Sequence, residues 1–338
     1  MTRYEPVESP DSTTTFPYHD LTPPEPVDVY EAREVVRRYL PRTPLVKSEM
    51  LSAETGANVY LKREDTLPTG AFKVRGGVTL GHRLSEEFRE AGLIAASTGN
   101  HGQSVAYAGR EFDVPVTVAV PADPNPEKVA AMERFGAEVV AIGADYDEAR
   151  EWAEGRAASE GLRYVHSANE PDLVAGVATA GLEVLETLPA VDRVVCPVGG
   201  GSGAAGYCLT VGAIGGADIV GVQSVAADAT YRAYHEGHLD PVDSAMTEAE
   251  GISSRAPFAL TVEVLRDRLD DMITVPEESI WEGVADLLTD ERIVAEGASA
   301  AAIAAVRSMD DVAGENVVVP ITGRNLSTEK LRNALSPA

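Results

Sequence analysis

Across residues 92–165 short apolar runs alternate with segments of helical pattern, and this alternation constrains the fold more than any other feature. Residues 93–96, 116–120, 138–142 and 163–165 read as strands; 102–111, 126–135 and 146–160 read as helices. Strands always separated by a helix join as parallel neighbours through right-handed crossovers, so this stretch is an α/β lobe. The pattern then restarts. A helix over 173–187, strands over 193–198 and 218–222, helices over 279–288 and 298–309, and a closing strand over 317–319 form a second region of the same class. Residues 226–257 are less regular and rich in charge and alanine.

Upstream, residues 1–27 are polar and dotted with proline, an arm without a hydrophobic period. Asp28 stands where it would cap a helix whose apolar stripe is Val29, Ala32, Val35, Val36 and Tyr39. Val59-Tyr60-Leu61 reads as a short strand, Pro68 and Gly70 as a turn, and 74–90 as a helix.

Of 338 residues, 44% are apolar, enough for a sizeable core or two lobes. The formal net charge of −26 disfavours nucleic acid and anionic membranes as partners. Lysine is confined to Lys47, Lys62, Lys73, Lys128 and Lys330, and arginine carries the remaining positive charge. An acidic, lysine-poor surface suggests a protein from a high-salt cytoplasm, where screening relieves self-repulsion. Cys196 and Cys208 imply core filling rather than a disulfide framework. The N-terminus lacks a basic region followed by an apolar run, and no apolar stretch is long enough to span a bilayer. These features predict a soluble, cytoplasmic protein. His235 and His238 lie near Asp240 without a third clustered ligand and read as solvated helix.

Four stretches carry chemistry. Lys73 follows the turn, flanked by Phe72 and Val74. Burial there would lower its pKa and expose the lone pair needed to condense with an aldehyde. On spacing alone, a surface lysine on a helix's first turn fits the same pattern. Ser97-Thr98-Gly99-Asn100-His101-Gly102 joins a strand to a helix, and N–H groups at a helix start favour an anion such as a carboxylate. A plain N-cap turn is the alternative. Gly199-Gly200-Gly201-Ser202-Gly203 is a bare backbone loop able to wrap a phosphate, where the helix dipole adds about half a positive charge. Its continuation, Gly201 to Gly206, also fits the dinucleotide fingerprint, but the next strand ends in Gln223-Ser224 rather than an acidic residue. Thr322 sits at the carboxyl end of the last strand. Glu296 either faces a substrate or caps the following helix.

In order, Thr69-Gly70-Ala71-Phe72-Lys73, the Ser97 loop, the Gly199 loop and Thr322-Gly323-Arg324-Asn325 resemble the motifs of pyridoxal-phosphate enzymes of fold-type II, the tryptophan-synthase-β type. The resemblance lies with the branch of serine/threonine dehydratases (threonine ammonia-lyases), close to serine racemases. It runs from about Val29 to the end of the chain. It implies two open parallel-sheet lobes with the cofactor between them. Residues 28–90 and 167–338 would form the large cofactor-binding domain, and 91–166 the small substrate-loop domain. Lys73 would be catalytic and carry pyridoxal 5'-phosphate through its amine. Phe72 and Asn100 would contact the cofactor, Gly199, Gly200, Gly201, Ser202 and Gly203 its phosphate, and Thr322 its pyridine nitrogen. Ser97, Thr98, Gly99, Asn100 and His101 would bind the substrate carboxylate. A neutral hydroxyl facing the ring nitrogen, where other pyridoxal enzymes place a carboxylate, favours prompt loss of a β-substituent.

The activity implied is β-elimination from L-threonine or L-serine, giving 2-oxobutanoate or pyruvate plus ammonia, in a homodimer or higher homo-oligomer. The chain ends soon after Thr322, which implies no C-terminal regulatory domain. Four residues depart from the pattern. Thr98 stands where racemases have serine and dehydratases alanine, so racemisation stays open beside dehydration. Gln223 replaces the glutamate of the racemase metal site, so no metal is expected. Ser202 replaces a fourth glycine, and Arg324 replaces the glycine after Gly323, bringing a large cation near the site. Outside the family, a nicotinamide-dependent oxidoreductase and a non-catalytic amino-acid sensor are the competing readings.

Overall fold

A computed structural model describes residues 21–242 and 244–336. Among the described residues there are ten strands: β1 (Leu45–Lys47), β2 (Asn58–Arg63), β3 (Leu93–Ala96), β4 (Val116–Val120), β5 (Glu138–Ala141), β6 (Arg163–Tyr164), β7 (Arg193–Pro197), β8 (Asp218–Ser224), β9 (Asp271–Val275) and β10 (Asn316–Ile321). They build two sheets, in the orders β5-β4-β3-β6 and β1-β2-β10-β7-β8-β9. Every pairing is parallel except β1 with β2. The protein is therefore of the α/β class expected from the alternation.

Two compact units divide the chain. One comprises the described residues up to Leu40 together with Lys73–Val177; the other comprises Pro41–Phe72 and the chain from Ala178 onward. The first holds the four-stranded sheet. Leu93, Ala95, Val105, Val116, Val118 and Met132 form a core on one face, while Ile94, Ala96, Ala119, Ala149 and Ala153 cluster on the other. Burial on both faces explains why these strands read as continuous apolar runs rather than alternating ones. Helix Val74–Arg83 lies close against helix Asn100–Phe112 because Gly77 has no side chain: a Cβ there would come within 2.4 Å of Ser104 Oγ.

The second unit holds the six-stranded sheet. Val59, Leu61, Val195, Val222, Val317 and Val319 pack against the alanine-rich helix Gly297–Ser308. Cys196 and Cys208 are buried and free, and desolvation pushes the Cys196 thiol up to about 12.

Several boundaries differ from expectation. The first helix begins at Pro26 with Glu25 as its cap, and Asp28 instead reaches back from the third helical position to the Glu25 N–H (2.9 Å). Residues 1–20 of the expected arm lie outside the described residues. The helix expected over 74–90 breaks after Arg83, because the Ser85 side chain caps a new helix, Glu86–Ala91. The irregular 226–257 region contains helix Ala229–Glu236. Gly237 ends that helix in a left-handed conformation, so His238 lies beyond it and pairs with Glu236 at 2.7 Å. His235 is on the helix and contacts the Met272 carbonyl at 3.1 Å. Among the described residues no helix is long and apolar enough to cross a membrane.

Candidate active site

In the first unit, chain topology brings two segments to one edge. β3 and β6 are parallel neighbours, and the Ser97 loop leaves the carboxyl end of one as Val165, His166 and Ser167 leave the other. Open α/β sheets bind ligands at that edge. The Lys73 amine donates to the Ser167 carbonyl at 2.6 Å, and the Lys73 carbonyl accepts from Ser104 Oγ at 2.7 Å. Desolvation pulls the Lys73 ammonium down from 10.5 to about 7. Near neutrality a large fraction is therefore free amine, the form that attacks a carbonyl carbon.

Within the Ser97 loop the side chains divide their work. Ser97 is buried, and its Oγ accepts from the N–H groups of Gly99 (3.2 Å) and Gly102 (2.9 Å). Its lone pairs thus serve the loop, while its hydroxyl hydrogen stays available to donate. Thr98 is exposed, Gly99 and Asn100 partly buried. A Cβ built on Gly99 meets nothing within 4 Å, so the loop borders open space. His101 is buried and bonds the Val165 carbonyl through Nε2 at 2.8 Å, which anchors the loop to the end of β6. Desolvation, then the Lys73 charge, lower His101 to about 3, so it is a neutral imidazole. Its Nδ1 is buried without a partner among the described residues.

The second unit repeats the arrangement with three loops. β2, β10 and β7 are adjacent and parallel, and their carboxyl ends lead into the lysine turn, the Thr322 turn and the Gly199 loop. The lysine turn is stitched to the Thr322 turn: Phe72 N–H donates to Thr322 O (2.9 Å), Arg324 N–H to Gly70 O (2.9 Å), and Asn325 Nδ2 to Thr69 O (2.9 Å). Thr322 Oγ1 shares a hydrogen bond with Ser299 Oγ at 3.1 Å. Gly201 has φ +86°, the left-handed conformation that favours glycine. Thr230 and Thr261 donate to the carbonyls of Gly199 (3.0 Å) and Gly200 (2.7 Å), tying them back. The Phe72 ring lies against Gly203, 3.3 Å from where its Cβ would be.

Phe72, Gly199 to Gly203 and Thr322 thus sit at one edge of the six-stranded sheet. Lys73 and residues 97–101 sit at one edge of the four-stranded sheet. Sequence reasoning missed Ser167, Ser299, Thr230 and Thr261. Ser299 lies three residues after Glu296, which the sequence does mark; the other three carry no local signal. Glu296 occupies the N-cap position of helix Gly297–Ser308 without a side-chain cap hydrogen bond, and its buried carboxylate packs where a Gly323 Cβ would come within 2.5 Å. Gln223 is buried, and its Oε1 accepts from the Tyr231 N–H at 2.8 Å. That oxygen is committed to the backbone rather than to a ribose.

A family model described as pyridoxal-phosphate dependent enzyme matches residues 36–323. The chain belongs to that family. It is an enzyme whose cofactor is pyridoxal phosphate, and the nicotinamide reading falls away. The L-threonine ammonia-lyase of Thermotoga maritima is 36% identical over 305 residues, 90% of this chain and 76% of that protein. The structure of threonine deaminase from T.th. is 32% identical with a TM-score of 0.85, covering 90% of this chain and 99% of its own. Maize serine racemase superimposes with a TM-score of 0.87 over 93% and 97% of the two chains at 24% identity, a likeness of fold alone.

Proposed function

We propose that this pyridoxal-phosphate enzyme eliminates water from L-threonine, L-serine or both, releasing 2-oxobutanoate or pyruvate plus ammonia. The observation that carries the reading is the Lys73 amine, held on the Ser167 carbonyl at 2.6 Å and brought to about 7 by burial. The names of the relatives point the same way.

The residues fit the cofactor. A glycine loop with a left-handed residue, its carbonyls tied back by two threonines, leaves N–H groups at a helix start to meet a phosphate. Phe72 offers a flat apolar wall, Asn100 an amide and Thr322 a neutral hydroxyl. When bound, pyridoxal phosphate supplies the electron sink that makes the substrate's Cα–H acidic. In this reading the protein holds the substrate carboxylate with the Ser97 hydroxyl and the N–H groups of Thr98, Asn100 and His101, the Gly99 N–H being given to Ser97 Oγ. The Lys73 amine accepts the α-proton, the Cβ–O bond breaks, and the departing hydroxyl takes up one proton in exchange and leaves as water. The neutral Thr322 hydroxyl favours that departure over a long-lived carbanion. Thr98, exposed at the loop's tip, would serve a racemase as proton donor on the other face.

The test is keto acid release from L-threonine and L-serine by the cofactor-loaded protein, with product chirality assayed alongside. Keto acid formation that disappears in Lys73→Ala supports the reading; no keto acid from either substrate overturns it. The net charge of −26 further supports a high-salt cytoplasm as habitat. Equal stability at low and multimolar salt would end that part. A homodimer or higher homo-oligomer belongs to the same reading, and sedimentation as a monomer would remove it.

A further inference from the structure

The Ser167 carbonyl that receives the Lys73 amine belongs to residues 165–170, which follow β6 without regular secondary structure. Three side chains of the same unit hold this stretch. The buried His166 ring folds it, for Nδ1 accepts from the Ala168 N–H at 3.0 Å and from the Asn169 N–H at 2.9 Å. His101 Nε2 bonds the Val165 carbonyl at 2.8 Å. Tyr146, though 38% exposed overall, turns its hydroxyl inward. Burial raises its pKa, and the hydroxyl bonds with the Ser167 side chain and reaches the Ala96 carbonyl at 3.5 Å.

A ring nitrogen that accepts two N–H groups carries a lone pair, so the proton of the neutral His166 ring is on Nε2. Burial, then the charges of His101, Arg150 and Lys73, lower His166 to about 3 and preserve that acceptor at neutral pH. The ring thus closes the bend as an Asx side chain closes a turn. The Ala168 N–H and the Ser167 carbonyl belong to one planar trans peptide, in which they point in opposite directions. Pinning the N–H to the ring therefore aims the carbonyl away from it, and the Lys73 amine lies there at 2.6 Å. Resting on the proposed reading, in which Lys73 is the reacting amine, we propose that His166 is a positioning residue for Lys73, acting through the Ser167–Ala168 peptide. An amine that donates one N–H to a fixed carbonyl carries its lone pair along another tetrahedral direction. Fixing the peptide restricts where that lone pair points.

The test compares His166→Asn with His166→Gln. The asparagine Oδ1 stands as many bonds from Cβ as the imidazole Nδ1, whereas the glutamine Oε1 stands one bond further out, where Nε2 is. Two rates are read per folded molecule. One is pyridoxal phosphate uptake by the apoenzyme at about pH 9, where the free-amine fraction of Lys73 no longer limits it. The other is keto acid release from L-threonine by the loaded enzyme. We expect His166→Asn to stay within about threefold of wild type in both, and His166→Gln to lose about 10- to 100-fold in both, with KM moving less than kcat. Tyr146→Phe removes one oxygen and should slow uptake about two- to fivefold. Equal rates in the Asn and Gln variants, high or low, overturn the inference. Should neither His166 variant fold, undiminished uptake in Tyr146→Phe overturns it instead. A wild type that releases no keto acid from L-threonine or L-serine fails the parent reading, and the uptake comparison stands apart from that result.

Discussion

Lys62 and Lys73 are eleven positions apart in a chain that mostly avoids lysine, and their surroundings are opposite. Lys62 is buried on β2 within the second unit. Its ammonium bonds the Glu183 carboxylate at 2.6 Å and the Thr43 carbonyl at 2.9 Å, with Glu64 at 3.9 Å. Thr43 Oγ1 closes the cluster by donating to Glu64 at 2.6 Å. Lys73 meets the Ser167 backbone carbonyl, and burial dominates its titration. The two sites separate what burial does from what pairing does. A carboxylate offsets the desolvation of an ammonium and keeps it a structural cation; where desolvation dominates, the proton becomes labile and the nitrogen a nucleophile.

The largest expected effect is chemical. Lys73→Ala should cut keto acid release by about 10⁴-fold or more, since no other amine replaces it. Lys62→Met should leave the fold's chemistry in place but strand Glu183 in the interior, costing about 3–5 kcal/mol in a denaturant titration. A change below about 1 kcal/mol would show that the two sites are less different than their geometry.

Lys73→Met, made in the apoenzyme, should move stability the other way. The folded pKa of about 7 lies below the unfolded 10.5, so between these values the unfolded chain binds more protons and wild-type stability rises with pH. The gain from Lys73→Met should be on the order of a few kcal/mol below pH 7 and vanish near pH 10.5. A gain that grows with pH runs against this assignment. The gentlest test is cofactor uptake by the apoenzyme. Its rate should rise about tenfold per pH unit and level off above about 7. His101 and His166, both lowered to about 3 chiefly by desolvation, stay neutral throughout, so no second inflection near 6.5 is expected.

Much of this is legible from residue order. The helix expected over 146–160 keeps those limits in the fold, because Asp145 caps it and Gly161 ends it. Four glycine-bearing turns follow strand ends, where backbone donors converge. What escapes are partnerships formed at long range. Glu183 meets Lys62 across 121 positions, and Lys73 meets the Ser167 carbonyl across 94; a carbonyl has no sequence signature. Short or polar elements escape too. β1 has only three residues, and β9 and helix Ala259–Arg268 lack a clear apolar period. The long-range pairing also explains why Lys62, with Tyr60-Leu61 before it and Arg63-Glu64 after it, reads in sequence as one more charge in a turn.

Which lysine does the chemistry is settled by borohydride trapping of the cofactor-loaded protein followed by peptide mass mapping. We expect a reduced phosphopyridoxyl group on the peptide carrying Lys73, with Lys62 unmodified. Modification of Lys62 or another lysine in place of Lys73, or no covalent adduct at all, would refute the contrast drawn between the two amines.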